Sequence, residues 1–238
     1  MLCIKIITAY PEMFPGALAF SLVGKALNKK RFSLETINLH DFGFDARKGI
    51  DDEPFGGGPG MIIRPDVVER ALLSIHLKYS QHSHRIYLSP SGKLLNQGKL
   101  TNYAKLDELI ILCGRFEGID QRAIEVLNFE EISIGDYILA GGEIAAQVLV
   151  EGCIRLIPGV LGQPKSLLEE SFSNNLLEYP HYTRPQVWVD SLGNKHDVPE
   201  VLTSGHHSNI KKWRLNKSIE KTKNIRPDMY INKEQKQD

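Results

Sequence analysis

Residues 51 to 61 read DDEPFGGGPGM, in which three successive glycines and a Pro-Gly pair cannot continue a helix or an ordinary strand. Such a loop lets backbone amides come close to a ligand, so it can serve as a pocket for a flat or anionic group; it can also be a simple flexible connection. No Gly-Lys-Ser/Thr follows, and the G-x-G-x-x-G spacing fails at Met61, which excludes the two common phosphate-loop patterns. Two further segments, LCGRFEGIDQR (112 to 122) and ISIGDYILAGGE (132 to 143), place glycine-bearing turns directly after apolar runs. With YLSP at 87 to 90 they make three similar loops, each able to offer main-chain donors and acceptors. Either turn alone also fits a tight strand-to-helix connection, but three together point to a shared site. Gly141 and Gly142 precede an apolar stretch, which would leave free N–H groups at a helix start. Arg155, the acidic pair Glu169 and Glu170, and Arg184 are the charged candidates around a Gly/Pro/Ser/Asn-rich stretch. His206 and His207 are adjacent, not spaced i, i+4, and have no cysteine with them; this favours hydrogen bonding or contact with nucleic acid over a metal site.

The elements that must position these residues follow from periodicity. LCIKIIT (2 to 8) and FSLETINL (32 to 39) alternate as strands, with a helix in SLVGKALNKKR between them. A helix is expected from about Asp66 to Lys78, then the strand RIYLS (85 to 89) and a helix capped by Asn96. After these come the strand LIILCG, a helix over IDQRAIEVL, the strand EISIGDYIL and a helix from Glu143 to about Leu156. Strands alternating with helices predict an α/β fold with a mostly parallel sheet covered on both faces and a ligand beyond the strands' carboxyl ends. The expected organisation is a sheet domain over 1 to 160, a partly mobile linker over 161 to 187 and a small helical C-terminal domain over 188 to 238. In its helix HSNIKKWRLNKSIEKT, Lys211, Arg214 and Lys221 form one stripe and Ile210 and Trp213 another.

The 238 residues carry 42% hydrophobic and 24% charged side chains, which excludes a disordered or fibrous chain. No run approaches the ~20 apolar residues of a membrane span, and MLCIKIITAY reads as a strand rather than a signal peptide, so a cytoplasmic location is expected. Cys3, Cys113 and Cys153, odd in number and in apolar contexts, read as reduced. The formal net charge is zero, which argues against a wholesale nucleic-acid coat. Its distribution is uneven: residues 203 to 238 hold 9 basic and 4 acidic groups, a net of +5.

The ordered set DDEPFGGGPGM, YLSPSG, LCGRFEGID, ISIGDYILAGGE, GVLG, EESF, LLEYPHYTRP and GHHSNIKKWR resembles the bacterial tRNA (guanine-N1)-methyltransferase family over about residues 1 to 230. The resemblance implies the SPOUT fold with a deep trefoil knot, which topology rules alone would have excluded. It implies methyl transfer from S-adenosylmethionine to N1 of the guanine immediately 3′ of the anticodon, where the preceding base is also G. The cofactor would lie against Tyr87, Leu88, Ser89 and Pro90, then Gly114, Phe116 and Glu117, then Ile134, Gly135, Tyr137, Leu139, Gly141 and Gly142. Arg155 would stabilise charge on O6, and Glu170, where the family has aspartate, would be the base; Glu169 is the neighbouring carboxylate. Phe116 stands where the family usually has tyrosine. Pro59, Gly60 and Met61 would meet the guanine 5′ of the target. Arg184, His206, Lys211, Arg214 and Lys221 would contact the tRNA anticodon stem-loop, the lysines and Arg214 through phosphates. A homodimer sharing its active site between subunits is implied, and a magnesium requirement without identifiable ligands. A SPOUT ribose 2′-O-methyltransferase or a non-catalytic RNA-binding homologue are the competing readings.

Overall fold

A computed structural model describes residues 1–75, 83–162 and 170–234; the side chains of 83 and 231–234 are not described. The chain divides into two compact units, Met1–Gly162 and Gln163–Asp238. The expected helix end at Lys78 and the carboxylate of Glu169 lie outside the described residues.

In the first unit the chain runs β1 (Leu2–Thr8), α1 (Ser21–Asn28), β2 (Phe32–Asn38), β3 (Asp51–Asp52), β4 (Ile62–Ile63), α2 (Pro65–Ser74) and β5 (Ser83–Leu94). It continues as α3 (Gln97–Tyr103), β6 (Glu108–Cys113), α4 (Gln121–Val126), β7 (Glu130–Ser133) and α5 (Glu143–Ile154). Five strands form one sheet in the order β2-β1-β6-β5-β7, and every pairing in it is parallel. Parallel neighbours need long crossovers, which the helices supply. β6 lies at the centre and is buried along its whole length, which is why its sequence ELIILC is a continuous apolar run after Glu108 instead of an alternation. Its side chains still divide by face. Leu109, Ile111 and Cys113 pack with Leu149, Val150 and Cys153 of α5 on one side, while Ile110 and Leu112 pack with Val67, Val68 and Ala71 of α2 on the other.

β7 departs from expectation, because it stops at Ser133 and 134 to 142 form a loop. Ser133 Oγ accepts the Gly135 N–H at 3.2 Å, Gly135 has φ +150°, and Tyr137 N donates to Gly135 O at 3.0 Å. These local bonds take the chain off the sheet despite the β-branched and aromatic residues that follow.

The second unit holds β8 (Val187–Val189), β9 (Lys195–Asp197), α6 (Glu200–Thr203), α7 (His207–Ile225) and α8 (Pro227–Glu234). It is therefore not purely helical: β8 and β9 pair as an antiparallel hairpin. Its turn is closed by Asp190 Oδ1, which accepts from Leu192 N and Asn194 N at 2.9 Å, with Gly193 at φ +87°. The inward residues of α7 are Ser218 and Thr222, a polar stripe that apolar periodicity cannot find. Thr222 Oγ1 donates to Ser218 O at 2.6 Å and accepts from Leu177 N at 2.8 Å, which fastens Leu177 to the helix.

Candidate active site

Three loops at the carboxyl ends of β5, β6 and β7 enclose a pocket of about 400 Å³, a size suited to a small organic ligand. The first begins where β5 bulges. Leu88 and Lys93 both register with Ile132, so Ser89 to Gly92 stand out from the ladder. Ser89 and Ser91 hydroxyls are 2.7 Å apart, and Ser91 Oγ donates to Glu131 Oε2 at 3.2 Å. The second loop follows β6. Phe116 has φ +57° and Gly118 φ +116°, and Asp120 then caps α4 by accepting the Arg122 N–H at 2.9 Å.

The Tyr87 ring fills the space where Gly114 and Gly118 lack side chains: a Cβ on either would stand 3.0 Å and 3.2 Å from the phenol oxygen. Burial, reinforced by the Glu131 charge, pushes the Tyr87 phenol up to about 12, so it remains protonated at neutral pH. The third loop is 134 to 142, with Tyr137, Ile138 and Leu139 exposed. It returns to the second where Gly142 N donates to Gly114 O at 3.0 Å, and a Cβ on Gly142 would stand 2.9 Å from Cys113 Cα. That contact requires glycine for reasons of space alone.

All thirteen residues that the resemblance assigns to the cofactor line this one pocket. The glycine-rich loop adjoins it. Glu117 N donates to Met61 O, Ile63 N to Gly118 O and Asp120 N to Ile63 O, each at 3.0 Å, so the segment after Gly60 runs as a short parallel strand beside the second loop. Pro59 and Gly60 are exposed and Met61 is half-buried. Gly56, Gly57 and Gly58 all have positive φ with open space around them.

Arg155 is the half-buried residue at the end of α5 in the first unit. In the second unit, Glu170 is half-buried and accepts Ser173 N through its carbonyl at 3.2 Å, while Ser171 Oγ accepts from Glu178 N at 3.0 Å. Arg184, His206 and Lys211 are exposed. Arg214 lies over the Tyr179 ring at 4.8 Å, and Lys221 Nζ donates to Glu178 O at 3.1 Å. The basic stripe thus shares a helix side with the inward Ser218 and Thr222 and braces the segment around residue 178.

The sequence reading missed a polar group behind the pocket. Arg115, on the pocket wall, has Nη2 2.9 Å from Glu143 Oε2, and Glu143 is fully buried. Thr8 Oγ1 donates to the other carboxylate oxygen at 2.7 Å. A charge just after an unbroken apolar strand, and an acid opening an apolar helix, were the available signals. Among the described residues no group of three His, Cys, Asp or Glu could hold a metal ion, and no helix is long and apolar enough to cross a membrane.

A parallel α/β sheet whose carboxyl-end loops enclose a glycine-lined pocket is the arrangement in which α/β proteins hold small organic ligands. The family model described as tRNA (Guanine-1)-methyltransferase TrmD matches residues 2–232. Proteins named tRNA (guanine-N(1)-)-methyltransferase are similar throughout: that of Cereibacter sphaeroides is 48% identical over 229 residues, 95% of this chain and 90% of the relative. The Agrobacterium fabrum protein is 47% identical over 224 residues, 94% of each chain. That of Ehrlichia canis is 47% identical over 230, 95% of this chain and 94% of the relative. The chain belongs to the tRNA (guanine-N1)-methyltransferase family.

Proposed function

We propose that this enzyme transfers a methyl group from S-adenosylmethionine to N1 of the guanine immediately 3′ of the anticodon in tRNAs with G before it. The observation that carries the reading is the match to the family over residues 2–232, joined to a pocket in which three separate loops meet. The wall suits the donor: glycines 114, 135, 141 and 142 bring backbone close, and Phe116, Ile138 and Leu139 offer apolar surface to a flat ring. When bound, S-adenosylmethionine supplies an electrophilic methyl group on a sulfonium centre. Knotted threading of these loops is part of the proposal.

N1 lies on the pairing edge of guanine, so the target base must leave its stack. As N1 attacks, its proton leaves and negative charge grows on O6. In the proposal the Glu170 carboxylate takes the proton and the Arg155 guanidinium stabilises O6. Pro59, Gly60 and Met61 read the preceding guanine from a loop bonded to the pocket rim. The basic C-terminal unit grips the anticodon stem-loop, with Arg184, His206, Lys211, Arg214 and Lys221 as contacts, and two copies of the chain share each active site. Methyl transfer from labelled donor to a tRNA transcript, with the product nucleoside identified, tests this; methyl on ribose, or RNA binding without transfer, would refute it.

A further inference from the structure

We propose that Glu143 is a positioning residue that neutralises Arg115 from behind the pocket wall, so that the pocket accepts a positively charged ligand. The inference rests on the reading that the pocket holds S-adenosylmethionine. Among the described residues, Arg115 and Glu117 are the two charged residues of the lining. Glu117 is exposed and screened by water, whereas only 18% of the Arg115 side chain and none of Glu143 is accessible. The Arg115 cation is therefore the wall's least screened charge, and a sulfonium ligand is a second cation brought beside it.

The surroundings fix Arg115 in place. Its Nη1 donates to Ala140 O at 3.3 Å, its guanidinium lies 4.3 Å from the centre of the Tyr10 ring, and a side chain on Gly141 would collide with it. It cannot swing away to water when a cation arrives. Glu143 in turn is held by Thr8 and by its place at the first turn of α5. A buried carboxylate is costly to keep without a partner, and pairing with a wall cation gives it both a partner and an effect on the pocket. The pair also straps the 134 to 142 loop to the start of α5.

A mere strap and a charge balance differ in one readout. S-adenosylmethionine is cationic at sulfur and its product S-adenosylhomocysteine is neutral there, while their shapes nearly coincide. Calorimetric titration of the purified full-length protein gives the dissociation constant of each. In Glu143→Gln the expected result is a loss for S-adenosylmethionine on the order of tenfold greater than for S-adenosylhomocysteine, the size of a unit-charge repulsion across such a pocket. Thr8→Val, which removes the other partner of Glu143 and no charge, leaves the ratio of the two constants as in the wild type. If Glu143→Gln does not fold, Arg115→Gln provides the test with opposite sign, the cationic ligand gaining on the neutral one. Equal loss of both ligands, no change in the ratio, or the same change in Thr8→Val overturns the proposal. A wild type that binds neither ligand instead overturns the reading of the pocket itself.

Discussion

Gly60 stands against Glu117 so closely that a Cβ at position 60 would collide with the Glu117 side chain from Cγ to the carboxylate. One residue belongs to the loop proposed to read the base before the target, the other to the wall of the proposed cofactor pocket. The two proposed sites therefore adjoin at this close approach, next to the three main-chain bonds that join the loops.

Gly60→Ala combines that collision with φ +86°, a conformation costing a side chain about 1–3 kcal/mol. We predict a loss of tenfold or more in kcat/KM for tRNA, because small displacements at a reacting centre cost on the order of 10²-fold. Gly57→Ala is the comparison: it has φ +78° but open space, so only the backbone cost applies. Steady-state kinetics of both variants decide the matter. Equal, small effects would show that the contact with Glu117 is unimportant.

At the opposite ends of the strands, Glu130 gathers three partners. His84 Nε2 and Tyr103 OH lie 2.7 and 2.8 Å from Oε2, and Lys99 Nζ donates to Oε1. Burial alone would raise its pKa, but the bonds from Lys99, His84 and Tyr103 outweigh burial and hold it at about 2. A depressed carboxyl contributes stability that is complete above its ordinary value near 4.5 and is lost as pH falls through about 2. Glu130→Gln should therefore cost about 2 kcal/mol at pH 7, and the difference from wild type should narrow below pH 4. Denaturant unfolding at pH 7 and pH 3 measures it. A difference independent of pH would contradict the assignment.

Thr222 is completely buried and closes the amide of Leu177 at 2.8 Å. Thr222→Val keeps the shape and leaves that N–H without its acceptor, a loss of about 1–3 kcal/mol. Thermal unfolding should show it, whereas Thr203→Val, on an exposed residue of α6, should shift the midpoint little.

Periodicity located the parallel sheet because each strand needed its own apolar run to be covered on both faces, as in ELIILC. It overextended β7, since Ile134, Tyr137 and Ile138 carry strand propensity, and the Ser133–Gly135 turn that ends the strand is a matter of hydrogen bonds. It also missed what packs α7, where Ser218 and Thr222 turn inward, Arg214 lies over the Tyr179 ring and Lys221 braces the Glu178 carbonyl. The pocket was legible as a shared site once its three loops were taken together, and its residues one by one only through the ordered set of motifs. Arg115 and Glu143 were not, because their pairing joins the end of β6 to the start of α5, and no local pattern encodes that distance.

Glu170 carries the central chemical claim, that its carboxylate takes the N1 proton. The decisive measurement is methyl transfer to a tRNA transcript with two guanines at the 3′ edge of the anticodon, using wild type, Glu170→Gln and Glu170→Asp. The account predicts N1-methylguanine from the wild type, a fall of about 10²- to 10⁴-fold for Gln, and activity retained by Asp. Near-wild-type transfer by Glu170→Gln would contradict it, and Glu169 would be the next carboxylate to replace.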